Sequence, residues 1–143
     1  MKKIFYLLAL AIFFLFAQGF STVILNGPDD ICGIYWSPKK NAKIEIYKKA
    51  NRYFGKSIWV IKPRKDDKNP NEKLQKRDIL GIEILSNFTY KDGMYTDGKI
   101  YDPENGKTYD CNIKIDGKNL KVRGYIGFSL IGRTEIFERI TAQ

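Results

Sequence analysis

Four carboxylates in polar connections, Asp66, Asp67, Asp102 and Glu104, are the side chains whose type best suits acid–base chemistry. Cleaving a glycosidic bond needs two such groups roughly 5–9 Å apart, one to protonate the leaving oxygen and one to activate water or attack. No strand or helix spacing ties any two of these four together, so ordinary solvated loop acids are the expectation. Asp102-Pro103-Glu104-Asn105-Gly106 also sets two carboxylates and an amide beside a glycine, which brings a calcium loop to mind. An EF-hand loop, however, places oxygen ligands at alternating positions across about twelve residues. Here a proline that sets φ early in a turn and a glycine that supplies positive φ at its end explain the segment without a metal. The chain has no histidine. Ser-His-Asp and Cys-His nucleophilic sites are thereby excluded, as are histidine-ligated metals. Neither a metal nor a cofactor is expected.

Aromatic and arginine side chains offer binding rather than catalysis. Trp36, Trp59, Tyr101, Tyr109, Arg123, Tyr125 and Arg133 are the candidates to line a pocket in which a few polar groups orient a ligand against apolar walls. The same residues also suit a purely structural role, with tyrosine hydroxyls satisfied by backbone and an arginine closing the fold. Cys32 and Cys111 form an even pair and a disulfide candidate. A bridge would close a loop of about 80 residues and add roughly 4 kcal/mol on chain-entropy grounds. Two inert thiols are the alternative. Gly124-Tyr125-Ile126-Gly127 with Gly132 looks superficially like a phosphate cradle, but no strand here leads directly into a long helix.

The elements that must position these residues are strands. Ile31–Trp36 is a dense apolar and aromatic run, and Lys43–Tyr47 alternates with Ile44 and Ile46 on one face. Arg52–Lys62 is a longer strand with Gly55 suited to a bulge, and Leu80–Leu85 resumes the alternation after the polar connection 63–77. Met94–Asp102 and Lys107–Asp116 are the arms of a hairpin around the Pro-Glu-Asn-Gly turn. Asp-Gly turns precede and follow them at Asp92-Gly93 and Asp116-Gly117. Leu120, Val122, Gly124 and Ile126 face one way, with Lys121, Arg123 and Tyr125 opposite, and Arg133–Ile140 closes the chain. About eight short strands, mostly in hairpins, predict an all-β fold, a small antiparallel barrel in preference to a sandwich.

Ahead of this domain, Met1-Lys2-Lys3 is followed by the apolar run Ile4–Ala17 and by small residues at Ala17 and Gly19. That is the pattern of a secretory signal peptide over residues 1–19. A retained anchor is the competing reading, but Ile4–Phe20 falls short of the roughly 20 apolar residues that span a bilayer. Residues 20–30 read as a flexible lead-in and 31–143 as a single domain. With Lys2 and Lys3 removed, the formal charge of +9 falls to +7. An exported chain with scattered lysines is not expected to meet nucleic acid. It has a solvated surface, with weak contact to an anionic membrane as the sharper alternative. A monomer is expected.

Taken in order, Gly33–Trp36, Ile44–Tyr47, Gly55–Val60, Asp67-Lys68-Asn69-Pro70 and Leu80-Gly81-Ile82 resemble an uncharacterised family of exported bacterial proteins, domain of unknown function 2147. The later segments Gly98–Tyr109, Leu120–Gly127 and Leu130–Arg133 resemble it most closely, and Phe137 stands where the family typically has tryptophan. The resemblance implies a lipocalin-like barrel and an exported location, and no activity. Lipocalins also carry Gly-x-Trp on the first strand, with a late arginine packed over the indole. That likeness points here to Gly33 and Trp36, three positions apart rather than two, and to Arg139 or Arg133 as the arginine. The functional expectation is non-enzymatic binding of a small lipidic or anionic molecule, or of an envelope component. One alternative is a filled barrel that engages a protein partner through the 63–77 loop. Another is an envelope glycan or lipid hydrolase using the loop carboxylates.

Overall fold

A computed structural model describes residues 27–141. The expected signal peptide and residues 20–26 of the lead-in lie outside the described residues. Eight strands follow one another around a closed antiparallel barrel, each paired with its sequence neighbours and the last with the first. They are β1 (Gly33–Trp36), β2 (Ala42–Lys49), β3 (Arg52–Val60), β4 (Glu83–Lys91), β5 (Met94–Asp102), β6 (Lys107–Asp116), β7 (Asn119–Tyr125) and β8 (Gly132–Arg139). Closure satisfies the backbone groups that an open sheet would leave along its edges. The seam is short: only Tyr35↔Arg139 and Trp36↔Glu138 pair β1 with β8.

Period-two alternation puts the core inside. Tyr35, Ile44, Ile46, Tyr53, Tyr95, Ile113, Leu120, Val122 and Phe137 are buried, and their strand neighbours face out. Two glycines make room for this packing. A Cβ on Gly98 would lie 2.2 Å from the Phe88 ring, and one on Gly55 would lie 3.1 Å from Leu85. The β3–β4 register shifts on either side of Gly55, as a bulge there requires. The hairpin arms β5 and β6 have the boundaries expected from the sequence.

One expectation changes in part: of Leu80–Leu85, only Glu83–Leu85 is strand. Gly81, at φ +90°, donates its N–H to Ser57 O, and Ser57 donates back to Ile82 O. Residues 79–82 are thereby a turn latched onto β3 that sinks Ile79 and Ile82 into the core, and β4 begins only at Glu83. Residues 27–30 of the lead-in lie against the barrel. These residues form a turn held by Asp30 N–H to Gly27 O (3.1 Å) and by bonds to four strands. Within the connection between β3 and β4, Glu72–Leu74 form a 3-10 turn, with the Asn71 side chain accepting from Lys73 N.

Antiparallel order sorts the connections. Those after β1, β3, β5 and β7 emerge at one end of the barrel. Those after β2, β4 and β6 emerge at the other, together with the segment that enters β1.

Candidate functional site

The end at which β1 begins is closed by side chains. Tyr53 donates its hydroxyl to Asp29 Oδ1 (2.5 Å), Tyr95 to Pro28 O (2.8 Å) and Tyr35 to Ile31 O (2.8 Å). Lys48 Nζ also reaches Asp29 Oδ1 at 2.8 Å. Hydrogen bonds from Lys48 and then Tyr53 hold the Asp29 carboxyl below its ordinary range. Arg139 lies with its guanidinium 4.7 Å from the centre of the Tyr35 ring and donates to Cys32 O (3.0 Å) and Asp30 O. A Cβ on Gly33 would sit 2.5 Å from Arg139 Nη1, so glycine is what admits the guanidinium. The arginine-over-aromatic closure therefore exists, but its aromatic is Tyr35, two residues after Gly33, and not Trp36.

Trp36 and Trp59 are not pocket walls. Alternation from buried Tyr35 and Ile44 puts Trp36 and its partner Lys43 on the outside, and the irregularity between Lys43 and Ile44 brings Trp59 opposite Lys43 on that face. The two indoles meet edge to face at 5.6 Å, with Lys43 Nζ 4.8 Å from one ring centre and 5.6 Å from the other.

Arg123 and Tyr125 also leave the candidate pocket, because Val122 and Gly124 hold the inward register of β7. Arg123 donates to Ser129 O (2.6 Å), Leu130 O (3.1 Å) and Thr134 Oγ1 (2.9 Å), clamping the β7–β8 connection from outside. Tyr101 alternates with inward-facing Ile100 and gives its hydroxyl to Asp66 Oδ1 at 2.5 Å.

That bond belongs to a cluster whose coherence the sequence does not announce. Asp66 is fully buried. Its Oδ2 accepts from Asn69 Nδ2 (2.8 Å) and from Arg77 Nε (2.9 Å), and Asp66 N–H donates to Arg77 O (3.0 Å). Asn69 also donates to Tyr101 Oη (3.1 Å). Burial and the adjacent Asp66 push the Tyr101 phenol up to about 12. The long 61–82 connection is thus folded around its own acid. It also packs on the β5–β6 turn, where a Cβ on Gly106 would lie 1.8 Å from Lys68 O.

The remaining acids are occupied or apart. Asp102 Oδ1 accepts from Glu104 N (2.9 Å), Glu104 pairs with Arg64 (3.0 Å) and Lys39 (3.5 Å), and Asp67 is exposed. The turn chemistry absorbs Asp102–Gly106 as expected: Gly106 has φ +71° and donates to Asp102 O at 2.8 Å. Among the described residues no group of three or more His, Cys, Asp or Glu could hold a metal ion. Cys32 and Cys111 are free thiols. The candidate bridge is absent because Cys111 points into the core midway along β6 while Cys32 precedes β1 at the closed end. Burial alone lifts the Cys111 thiol to about 12, and burial with nearby Asp29 raises Cys32.

Two of the expected pocket residues, Tyr109 and Arg133, fall at the opposite end of the barrel. By alternation from Cys111 and Phe137, Tyr109 and the Arg133–Glu135 ion pair fall on inward positions near the rim. Gly124 lies between them, paired with both Cys111 and Arg133. A Cβ there would meet only Ile100 Cγ2 at 3.4 Å and Tyr109 Cβ at 3.7 Å. Ala42, Val60, Ile100, Tyr109, Gly124 and Glu135 are all half-buried, unlike the fully buried inward residues below them. Tyr109 Oη accepts from Asn105 Nδ2 at 3.0 Å. These inward positions carry apolar groups at Ile100 and Gly124 and polar groups at Tyr109, Arg133 and Glu135. Gly124 and Glu135 escape the sequence reading, although Gly124 is visible there as the one gap in an inward apolar series.

Fold and site define a small lipocalin-like barrel with one open end. Residues 33–139 match the family described as "Uncharacterized protein conserved in bacteria (DUF2147)", and the chain belongs to that family. Among solved structures it is similar to protein HP1028 from Helicobacter pylori, which is described as belonging to the lipocalin family. The identity is 25%, the TM-score 0.71, and the match covers 77% of this chain and 82% of that one. No curated protein matches the chain.

Proposed function

We propose that the protein is a non-enzymatic, exported binder of a small amphiphilic molecule held in a cup at the open end. The observation that carries this reading is the contrast along one inner wall: inward positions are fully buried at Leu120, Val122 and Ile113 but half-exposed at Gly124, Tyr109 and Glu135. Such a wall suits a ligand whose apolar part lies on Ile100 and Gly124. Its polar group would meet the Tyr109 hydroxyl and the Arg133–Glu135 pair. Because Tyr35, Tyr53, Phe88 and Tyr95 fill the other end, the ligand is short and does not thread the barrel. The signal-peptide pattern at residues 1–19 supports export, and the lipocalin-family neighbour supports binding over catalysis. Against a hydrolase stand the engagement of Asp66, Asp102 and Glu104 in structural bonds.

Native mass spectrometry of the protein purified without denaturation tests this. A bound species heavier by one small molecule is expected. Gly124→Leu, which fills the floor without a backbone clash, should abolish it while leaving the barrel folded. A ligand-free wild type, or a ligand kept by Gly124→Leu, would end this reading.

A further inference from the structure

The connection between β7 and β8, Ile126-Gly127-Phe128-Ser129-Leu130-Ile131, has no charged residue and turns its large side chains outward. Ile126 is 73% exposed, Phe128 76%, Leu130 91% and Ile131 76%. Loose apolar loops usually fold back on themselves, but this one is held in its outward form. Arg123 grips two of its carbonyls, Ile131 N–H donates to Phe128 O at 3.0 Å, and Phe128 N–H donates to Ile126 O at 3.0 Å. Gly132 lets its base lie against the end of β7, where a Cβ would sit 2.7 Å from Gly124 O. A guanidinium committed to holding four apolar side chains in water implies a surface that covers them.

Charge decides which surface. The 61–82 connection leaves at the same end, and its Lys62, Lys68, Lys73 and Lys76 are exposed with no acidic partner among the described residues. Trp59 and Ile61, 39% and 61% exposed, stand where β3 runs out into that connection. Apolar tips and exposed lysines that share one end of the barrel, the lysines outnumbering the exposed Asp67 and Glu72 of their connection and with an indole at the margin, match the interfacial layer of an anionic bilayer. A second copy pairing through the same end would face these lysines with their own counterparts.

We propose that the open end of the barrel docks onto an anionic lipid surface, with Ile126, Phe128, Leu130 and Ile131 inserted at the acyl boundary and the lysines of the 61–82 connection lying on the head groups. The proposal uses residues outside the cup and stands without it.

Vesicle co-sedimentation tests it, with the chain prepared from residue 20 so that the apolar run Ile4–Ala17 contributes nothing. The core lies wholly between Ile31 and Phe137, so this form keeps the complete barrel. Binding is expected to phosphatidylcholine vesicles containing phosphatidylglycerol, weakening as salt rises. Leu130→Asp and Phe128→Asp should each reduce partitioning by about tenfold or more. Lys73→Glu and Lys76→Glu should each reduce it roughly fivefold and flatten the salt dependence. Equal binding to phosphatidylcholine alone would remove the anionic requirement and overturn the proposal. So would wild-type strength in Leu130→Asp and Phe128→Asp, or failure of the wild type to bind. A concentration-dependent dimer that Leu130→Asp dissociates, without vesicle binding, would instead assign the tip to a second copy.

Discussion

At the end where β1 begins, three tyrosine hydroxyls and an arginine hold residues 27–32 against the barrel, while at the other end inward positions stand half-exposed and four large apolar side chains face solvent. Both ends draw on the same residue types. Tyr35, Tyr53 and Tyr95 are buried with their hydroxyls on nearby backbone or Asp29; Tyr109 has the same inward register but lines a rim. Arg139 is half-buried beneath a turn and packs on a ring, whereas Arg123 grips a loop from outside. Residue type alone does not separate closure from binding. Position along the strand does, because an inward side chain is covered only where another segment crosses that end.

If the closed end carries the stability, its core should be the costliest to disturb. Phe88→Ala is expected to lower unfolding free energy by about 3–5 kcal/mol, measured by urea denaturation, since the ring is buried against Gly98. A cost under about 1 kcal/mol would break the comparison. Asp66→Ala comes next, at about 3 kcal/mol, because it leaves Arg77 and Asn69 without their buried acceptor. Hydrogen exchange should localise that loss to residues 61–82, which would show that the open end has a structural anchor of its own.

Arg139→Gln should cost about 2 kcal/mol through the lost ring contact and carbonyl bonds, with protection falling at residues 27–32.

Alkaline titration sharpens the contrast further. Burial pushes Tyr35 up to about 12 and raises Tyr53 and Tyr95, while an unfolded tyrosine ionises near 10. The folded pKa values are the higher ones, so this stability is complete below about pH 10 and is lost as pH rises toward 12. Denaturation midpoints at pH 9 and 11 should differ accordingly, and absorbance at high pH should reveal late-ionising tyrosines. The smallest effect is expected at the open end: Leu130→Asp should change the unfolding free energy by no more than about 0.5 kcal/mol in urea denaturation, because the side chain it replaces is 91% exposed.

The hairpin from Met94 to Asp116 is legible in the sequence because its causes are local. Alternation sets the face, and Pro103 and Gly106 set the turn. Residues 79–82 are not legible, since an apolar alternation looks the same whether it continues as a strand or is latched to Ser57 as a turn. Trp36 invites the lipocalin role that Tyr35 performs, because spacing from Gly33 is a weaker guide than which side chain the register turns inward. Asp66 resembles its neighbour Asp67 in every local respect. Only one of them is buried, and the difference lies in Tyr101, Asn69 and Arg77, of which Tyr101 is 35 residues away.

By itself, the sequence determined the all-β class, the near count of strands, the hairpin registers and the absence of histidine chemistry, because propensity, period and turn geometry act over a few residues. Tertiary structure decided which end is closed, which aromatic meets the arginine, that the two cysteines remain apart, and that Gly124 leaves a gap among inward side chains. Those outcomes depend on which segments cross each mouth of the barrel, and no local pattern encodes that crossing.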